Sequence, residues 1–322
     1  MRKLAQTEKA FYPRRWSFRL GIALVLGVSC LLSAGHPAFA GQYLNSAEPM
    51  CNGTDPTVLL CDDFEDGSWY VTNADTSGGK LNPSNNGWAG NIYASTPANA
   101  VCGSAGAAGT NCTATTGQRL NSGKYQGWHW FGPNENQYEE IFHRFYVKFL
   151  PGYDFGHEKL VAYHRDSSIG TQIGFLHSPW GGNKLSVFLV EPSAWLNQNQ
   201  GNDLSWTPGH WYYIEVHIRL DTTRGAANGI VEVWGDDCGT NGLGCTGPGT
   251  LRLQHSGLNI RRTNGVGLGT IHQENWLPTS PPEFTGGGEV HNDQVIVRTK
   301  RVGPMGTQPV ANVPPPLNLR VQ

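Results

Sequence analysis

Two stretches of this chain set residues suited to acid–base work at every second position. In residues 139–150 (EEIFHRFYVKFL), Glu140, Phe142, Arg144, Tyr146 and Lys148 take one face, opposite Ile141, His143, Phe145, Val147 and Phe149. In residues 211–220 (WYYIEVHIRL), Tyr213, Glu215, His217 and Arg219 oppose Tyr212, Ile214, Val216, Ile218 and Leu220. Alternation with period two belongs to strands, not helices. Between the two stretches lie Lys159, Tyr163, His164, Arg165, Gln172 and His177, on what read as adjacent strands. Arginine and lysine neutralise an acidic group, glutamine hydrogen-bonds it, and histidine or tyrosine moves a proton. One reading is a cationic, aromatic groove. Its competitor is the solvated outside of a half-exposed antiparallel sheet.

Other chemistry finds little support. His157-Glu158 opens like a zinc-protease helix, but the next histidine, His164, falls too late and the segment reads as strand. Neither a GxSxG elbow nor a phosphate-binding loop occurs, and nothing local points to a Ser/His/Asp triad.

The elements that must hold these residues are short strands. They are expected at 60–71, 139–150, 158–165, 171–177, 184–190, 211–220, 230–235, 250–255, 266–272 and 293–299. Turn chemistry separates them at Pro151-Gly152, Gly181-Gly182-Asn183, Pro208-Gly209 and Asn228-Gly229. Residues 72–137 read as loop-rich, and no segment shows an amphipathic helix. Gly (42) and Pro (20) are abundant and charged residues make up only 15%, a profile unlike a helical bundle, while 11% aromatics argue against disorder. The expectation is an all-β, two-sheet antiparallel sandwich or jelly roll.

The ends read differently. Arg2, Lys3, Lys9, Arg14, Arg15 and Arg19 precede an apolar run from Leu20 to Leu32, and Ala38-Phe39-Ala40 supplies a small-x-small cleavage site. The run is shorter than the ~20 residues of a membrane span. Residues 1–40 are therefore expected to be a signal peptide, with no membrane association after cleavage and a secreted, periplasmic or extracellular location. Residues 41–60 are an irregular lead-in, 61–303 one domain, and 304–322 a Pro-rich tail outside the core. Without the signal, 17 basic and 24 acidic residues leave a net charge of −7, which excludes a general nucleic-acid binder. A monomer is the default.

Six cysteines remain beyond the signal. An oxidising compartment and the low entropic cost of short loops favour Cys51–Cys61, Cys102–Cys112 and Cys238–Cys245, each with Cα atoms within about 7 Å. No CxxC occurs, which disfavours zinc.

At 211–237, WYYIEVHIRLDTTRGAANGIVEVWGDD resembles the paired strands of the concanavalin A-like lectin/glucanase jelly rolls. Asp62-Asp63-Phe64-Glu65-Asp66-Gly67 is similar to their opening strand. His291-Asn292-Asp293-Gln294-Val295-Ile296-Val297, followed by Arg301-Val302-Gly303-Pro304, is similar to the closing one. The E…RFYVKF strand and the length most resemble the secreted polysaccharide lyases. The glucanase branch uses a Glu-x-Asp-x-x-Glu strand, which this chain lacks.

The resemblance implies a polysaccharide partner. A lyase acting on a uronic-acid polymer must neutralise the carboxylate and remove the C5 proton, with no cofactor needed for that chemistry. Arg144, Tyr146, His164, Tyr163 and Arg165 are the catalytic candidates, His164 as base or neutraliser and Tyr146 or Tyr163 as its proton partner. Lys148, Lys159, Gln172 and His177 are binding candidates, and Trp128 and Trp130 the best candidates for a groove rim. For the catalytic set to work together, Arg144, His164 and one tyrosine must open on one cleft. The resemblance also implies structural calcium held by Glu65 and Asp293 with backbone carbonyls. A non-catalytic, lectin-like module and a glycoside hydrolase are the alternatives.

Overall fold

The computed structural model describes residues 42–44, 55–65, 89–90, 99–101, 103, 105–117, 119–120, 126–130, 138–153, 159–164, 172–177, 185–190, 193–197, 204–277 and 289–305, in places as backbone alone. The expected signal peptide at 1–40 lies outside these residues, as do Cys51, Cys102 and Arg165. In chain order the strands are β1 (Gln42–Leu44), β2 (Val58–Asp62), β3 (Ala89–Gly90), β4 (Asn99–Val101), β5 (Thr113–Gly117), β6 (Arg119–Leu120), β7 (Gln126–Trp130) and β8 (Glu140–Phe149). They continue as β9 (Lys159–His164), β10 (Gln172–His177), β11 (Ser186–Leu189), β12 (Ala194–Asn197), β13 (Trp211–Arg219), β14 (Gly229–Asp237), β15 (Leu251–Leu258), β16 (Thr270–Leu277) and β17 (Glu289–Arg298). Among the described residues there is no α-helix, and none of their helices is long and apolar enough to cross a membrane.

The strands form two sheets. One has nine strands, ordered β1-β2-β17-β8-β13-β14-β15 with β5 against β17 and β4 against β5. The other has eight, ordered β12-β11-β10-β9-β16-β7-β3 with β6 beside β16. Pairing is antiparallel except for β1–β2 and β6–β16. This is the two-sheet sandwich expected from the alternation.

The alternation in β8 and β13 does what it predicts. Ile141, Phe145, Val147 and Phe149 of β8, with Tyr212, Ile214, Val216 and Ile218 of β13, are buried in one apolar cluster. That cluster also holds Val161 and Tyr163 of β9, Ile173 and Leu176 of β10, Val187 and Leu189 of β11, and Ile271 of β16. The core is therefore the layer between the sheets, where non-directional removal of apolar surface from water drives stacking.

Some boundaries move. The lead-in contains β1 and the start of β2, and the loop-rich stretch carries β3 to β7, too short to show period two in sequence. The tail begins later than expected: Pro304 is buried and Met305 packs on a second apolar cluster. Cys238 and Cys245 are bridged with Cα atoms 4.6 Å apart. Cys61 and Cys112 are also disulfide-bonded.

Candidate functional site

The outer face of the nine-stranded sheet carries the alternation that suggested a groove, and it is closed. Arg144 stands in register with Glu215, and Tyr146 with Tyr213; all four are buried. Residues 301–305 lie over them. Glu215 accepts the Val302 N–H at Oε1 (2.7 Å) and the Gly303 N–H at Oε2 (3.0 Å), and the Tyr213 hydroxyl donates to the same carboxylate. The Met305 N–H donates to the Tyr146 hydroxyl at 2.8 Å, and the Arg301 guanidinium sits 4.1 Å above the Trp234 ring. Gly249, at φ +77°, fits because a Cβ there would meet the Tyr213 ring at 2.6 Å. Lys148 caps the Trp211 ring at 4.6 Å, and burial lowers its ammonium pKa. Tyr146 therefore belongs to packing beneath a C-terminal strap, and Arg144 is buried beside it, 5.7 Å from the Tyr146 ring centroid.

The expected convergence of Arg144, Tyr146, Tyr163 and His164 on one cleft does not occur. β8 pairs with β13 and β17, whereas β9 pairs with β10 and β16, so the chain changes sheet between Phe149 and Lys159. Tyr163 points into the layer between sheets, where its hydroxyl lies 3.1 Å from His143 Nδ1. Burial raises the Tyr163 pKa well above that of an ordinary phenol and lowers the His143 pKa to about 3.

The eight-stranded sheet gathers most of the remaining candidates. Because Tyr163 and Ile271 face the core, alternation turns Ala162 and His164 the other way. Register then gives two rows of positions across the outer face. One runs Trp130, Thr270, His164, Gln172; the other runs Trp128, His272, Ala162, Phe175, Phe188, Trp195. Lys159 pairs with both Trp276 and His177. For Trp128, Trp130, Lys159, Gln172 and His177 the backbone position is described and the side chain lies outside the described residues. His164 is fully buried. The Phe188 and Trp195 rings pack with centroids 5.0 Å apart, and Trp195 is 42% exposed. Trp206, by contrast, packs inward against Tyr212 and Phe149.

The sequence reasoning missed Thr270 and His272. They lie on a strand expected to end at 272, and only its pairing with β9 brings them beside His164. It named Glu140 and His217 but missed Glu232, which joins them in a polar chain on the outer face of the nine-stranded sheet. His217 bonds Glu140 through Nε2 (2.7 Å) and Glu232 through Nδ1 (2.8 Å), and lies flat on Phe142.

Glu65 and Asp293 do come together, on the loop at 105–112. Glu65 accepts the Cys112 N–H (2.8 Å), while Asp293 accepts the Ala107 N–H (2.7 Å) and the Thr110 hydroxyl (3.0 Å). Gly106 permits this approach: a Cβ there would lie 2.8 Å from Asp293 Oδ2. Burial, with Glu65 adding repulsion, raises the Asp293 pKa well above the usual carboxylate range. Among the described residues no group of three or more His, Cys, Asp or Glu side chains is placed to hold a metal. Calcium here would need backbone carbonyls to complete its oxygen shell.

No protein-family model matches the chain, and neither does any curated protein. Among solved structures it is similar to a sialidase (12% identity, TM-score 0.43), covering 76% of this chain and 19% of that one. The chain thus spans about a fifth of the sialidase's length. It is also similar to the alginate lyase Aly36B (12%, TM-score 0.45; 76% of this chain, 97% of that one). The third is the cellulose-induced protein Cip1 (12%, TM-score 0.47; 76% and 98%).

Proposed function

We propose that this chain is a secreted carbohydrate-active protein that binds polysaccharide across the outer face of its eight-stranded sheet and cleaves a uronic-acid polymer by β-elimination. One observation carries the reading: His164, Gln172 and Thr270 share a row beside the row that ends in the Phe188–Trp195 ring pair. Exposed aromatic rings suit the apolar faces of sugar rings. In the reaction, Gln172 hydrogen-bonds the uronate carboxylate and His164 takes the C5 proton. The C4–O bond then breaks, a C4=C5 double bond forms, and the departing oxygen takes up a proton. Arg144, Tyr146 and Tyr163 have no part in this scheme. The disulfides agree with an exported protein.

The second reading, a non-catalytic binding module, draws support from the complete burial of His164. Incubation with a panel of uronic-acid and neutral polysaccharides separates the two. Ultraviolet absorbance from unsaturated ends supports the lyase. New reducing ends without that absorbance point to a hydrolase, and binding without cleavage to the module. Structural calcium at Glu65 and Asp293 is part of the proposal. A melting temperature that rises with added calcium and falls with chelator supports it, and an unchanged one removes it.

A further inference from the structure

His143 belongs to the nine-stranded sheet and Tyr163 to the eight-stranded one, and both are fully buried. Their 3.1 Å contact therefore spans the core. It is a polar tie within an apolar layer: the His143 ring packs on Phe145 at 5.0 Å and meets the Tyr163 ring edge-on at 5.8 Å. Dispersion contacts in that layer tolerate small slides of one sheet over the other, whereas a hydrogen bond demands distance and angle. Tyr163 is joined by one peptide bond to His164, which faces the opposite way. Whatever fixes the roll of β9 at Tyr163 fixes His164 too.

We infer that the His143–Tyr163 pair sets the position of His164 on the outer face, so that both are positioning residues for the carbohydrate site. The inference rests on the functional reading above. It also accounts for a histidine on the apolar face of β8, where a leucine or phenylalanine would fill the space without the desolvation cost of an imidazole.

Removing one partner strands the other in the core, so Tyr163→Phe alone is expected to lose both stability and function. The informative variant replaces both. His143→Phe with Tyr163→Phe removes the two polar groups together, which is close to neutral for stability. Three quantities are read: the melting temperature, the His164 imidazole resonances by NMR, and affinity for polygalacturonate and a neutral β-glucan. The expected result is a melting temperature within a few degrees of wild type, displaced His164 resonances and affinity lowered roughly tenfold. Unmoved resonances with wild-type affinity overturn the inference. If the wild type binds neither polysaccharide, the functional reading fails, and the resonances alone decide: displaced, the tie positions His164; unmoved, it does not. Should the double variant not fold, His143→Gln takes its place, since its amide offers Tyr163 a partner. His143→Leu, which offers none, is read beside it: His164 resonances displaced in His143→Leu but close to wild type in His143→Gln support the inference, and resonances alike in the two overturn it.

Discussion

Arg144 and Glu215 stand opposite each other on adjacent strands, both fully buried, beneath a strap of chain whose backbone bonds the glutamate. A buried carboxylate is tolerated when its lone pairs are filled. Here two backbone N–H groups and the Tyr213 hydroxyl fill them, with Arg301 Nε 3.7 Å away. Two side chains of the face that looks like a groove in sequence, Glu215 and Tyr146, thus anchor the C-terminal segment, and Arg144 is buried beside them.

Substituting them should therefore unfold the protein before it changes binding. Glu215→Ala is expected to cost about 3–5 kcal/mol, because it strands the strap's N–H donors and the nearby guanidinium groups. Arg144→Met should cost less, since methionine keeps part of the volume. Denaturant melts measure both. An Arg144→Met protein of wild-type stability that no longer binds polysaccharide would return Arg144 to the site.

The faces of β8 and β13 were legible because period-two alternation survives without knowledge of partners. What was not legible was which sheet each strand joins. Consecutive strands pair roughly two-thirds of the time, so β8 and β9 read as neighbours. The turn after Phe149 instead carries the chain to the other sheet, and Arg144 parts from His164. The strap was missed for a related reason: the prolines from Pro304 onward read as a loose end, yet Pro304 itself is buried. The aromatic row on the eight-stranded sheet drew residues from β7, β9, β10, β11, β12 and β16, an arrangement that only long-range pairing reveals.

Acid should destabilise the fold through His143. Its folded pKa is about 3 because burial, and then the nearby Arg144, disfavour the imidazolium, against 6.5 for the free side chain. Between those values the unfolded chain binds a proton that the folded one refuses. The contribution is intact above pH 6.5 and declines as pH falls toward 3, by up to about 1.4 kcal/mol per pH unit. Urea melts across that window should show the slope. The His143→Phe, Tyr163→Phe double variant should lose this component, and an unchanged slope in that variant would assign the acid lability to other groups.

The Glu140–His217–Glu232 chain has two sensitive limits. Burial opposes charge on His217, but its bonds to both glutamates outweigh burial and raise its pKa above 6.5. That stabilisation is complete below pH 6.5 and lost as pH rises through the folded value. Glu140 is lowered chiefly by its bond to His217; in Glu232 burial is overcome by His217. Their contribution is present above pH 4.5 and lost as pH falls through the lowered values. His217→Asn should flatten the alkaline decline seen in thermal melts. An alkaline decline identical to wild type would show that His217 is not its source.

Trp195 offers the most direct test of the binding face. It is 42% exposed on the edge strand β12, and its ring is braced by Phe188 on β11. A braced, half-exposed indole can stack on a pyranose ring with little loss of side-chain freedom on binding. Trp195→Ala should lower polysaccharide affinity by roughly tenfold, about 1.4 kcal/mol, while folding stability changes by no more than about 0.5 kcal/mol. Phe188→Ala should weaken binding less, through loss of the brace, and reduce stability more, because its ring is partly buried. Isothermal titration with the polysaccharide that binds wild type measures the first effect, and thermal melts the second. Unchanged affinity in Trp195→Ala would remove this end of the aromatic row from the binding surface and confine the site to the rows around His164.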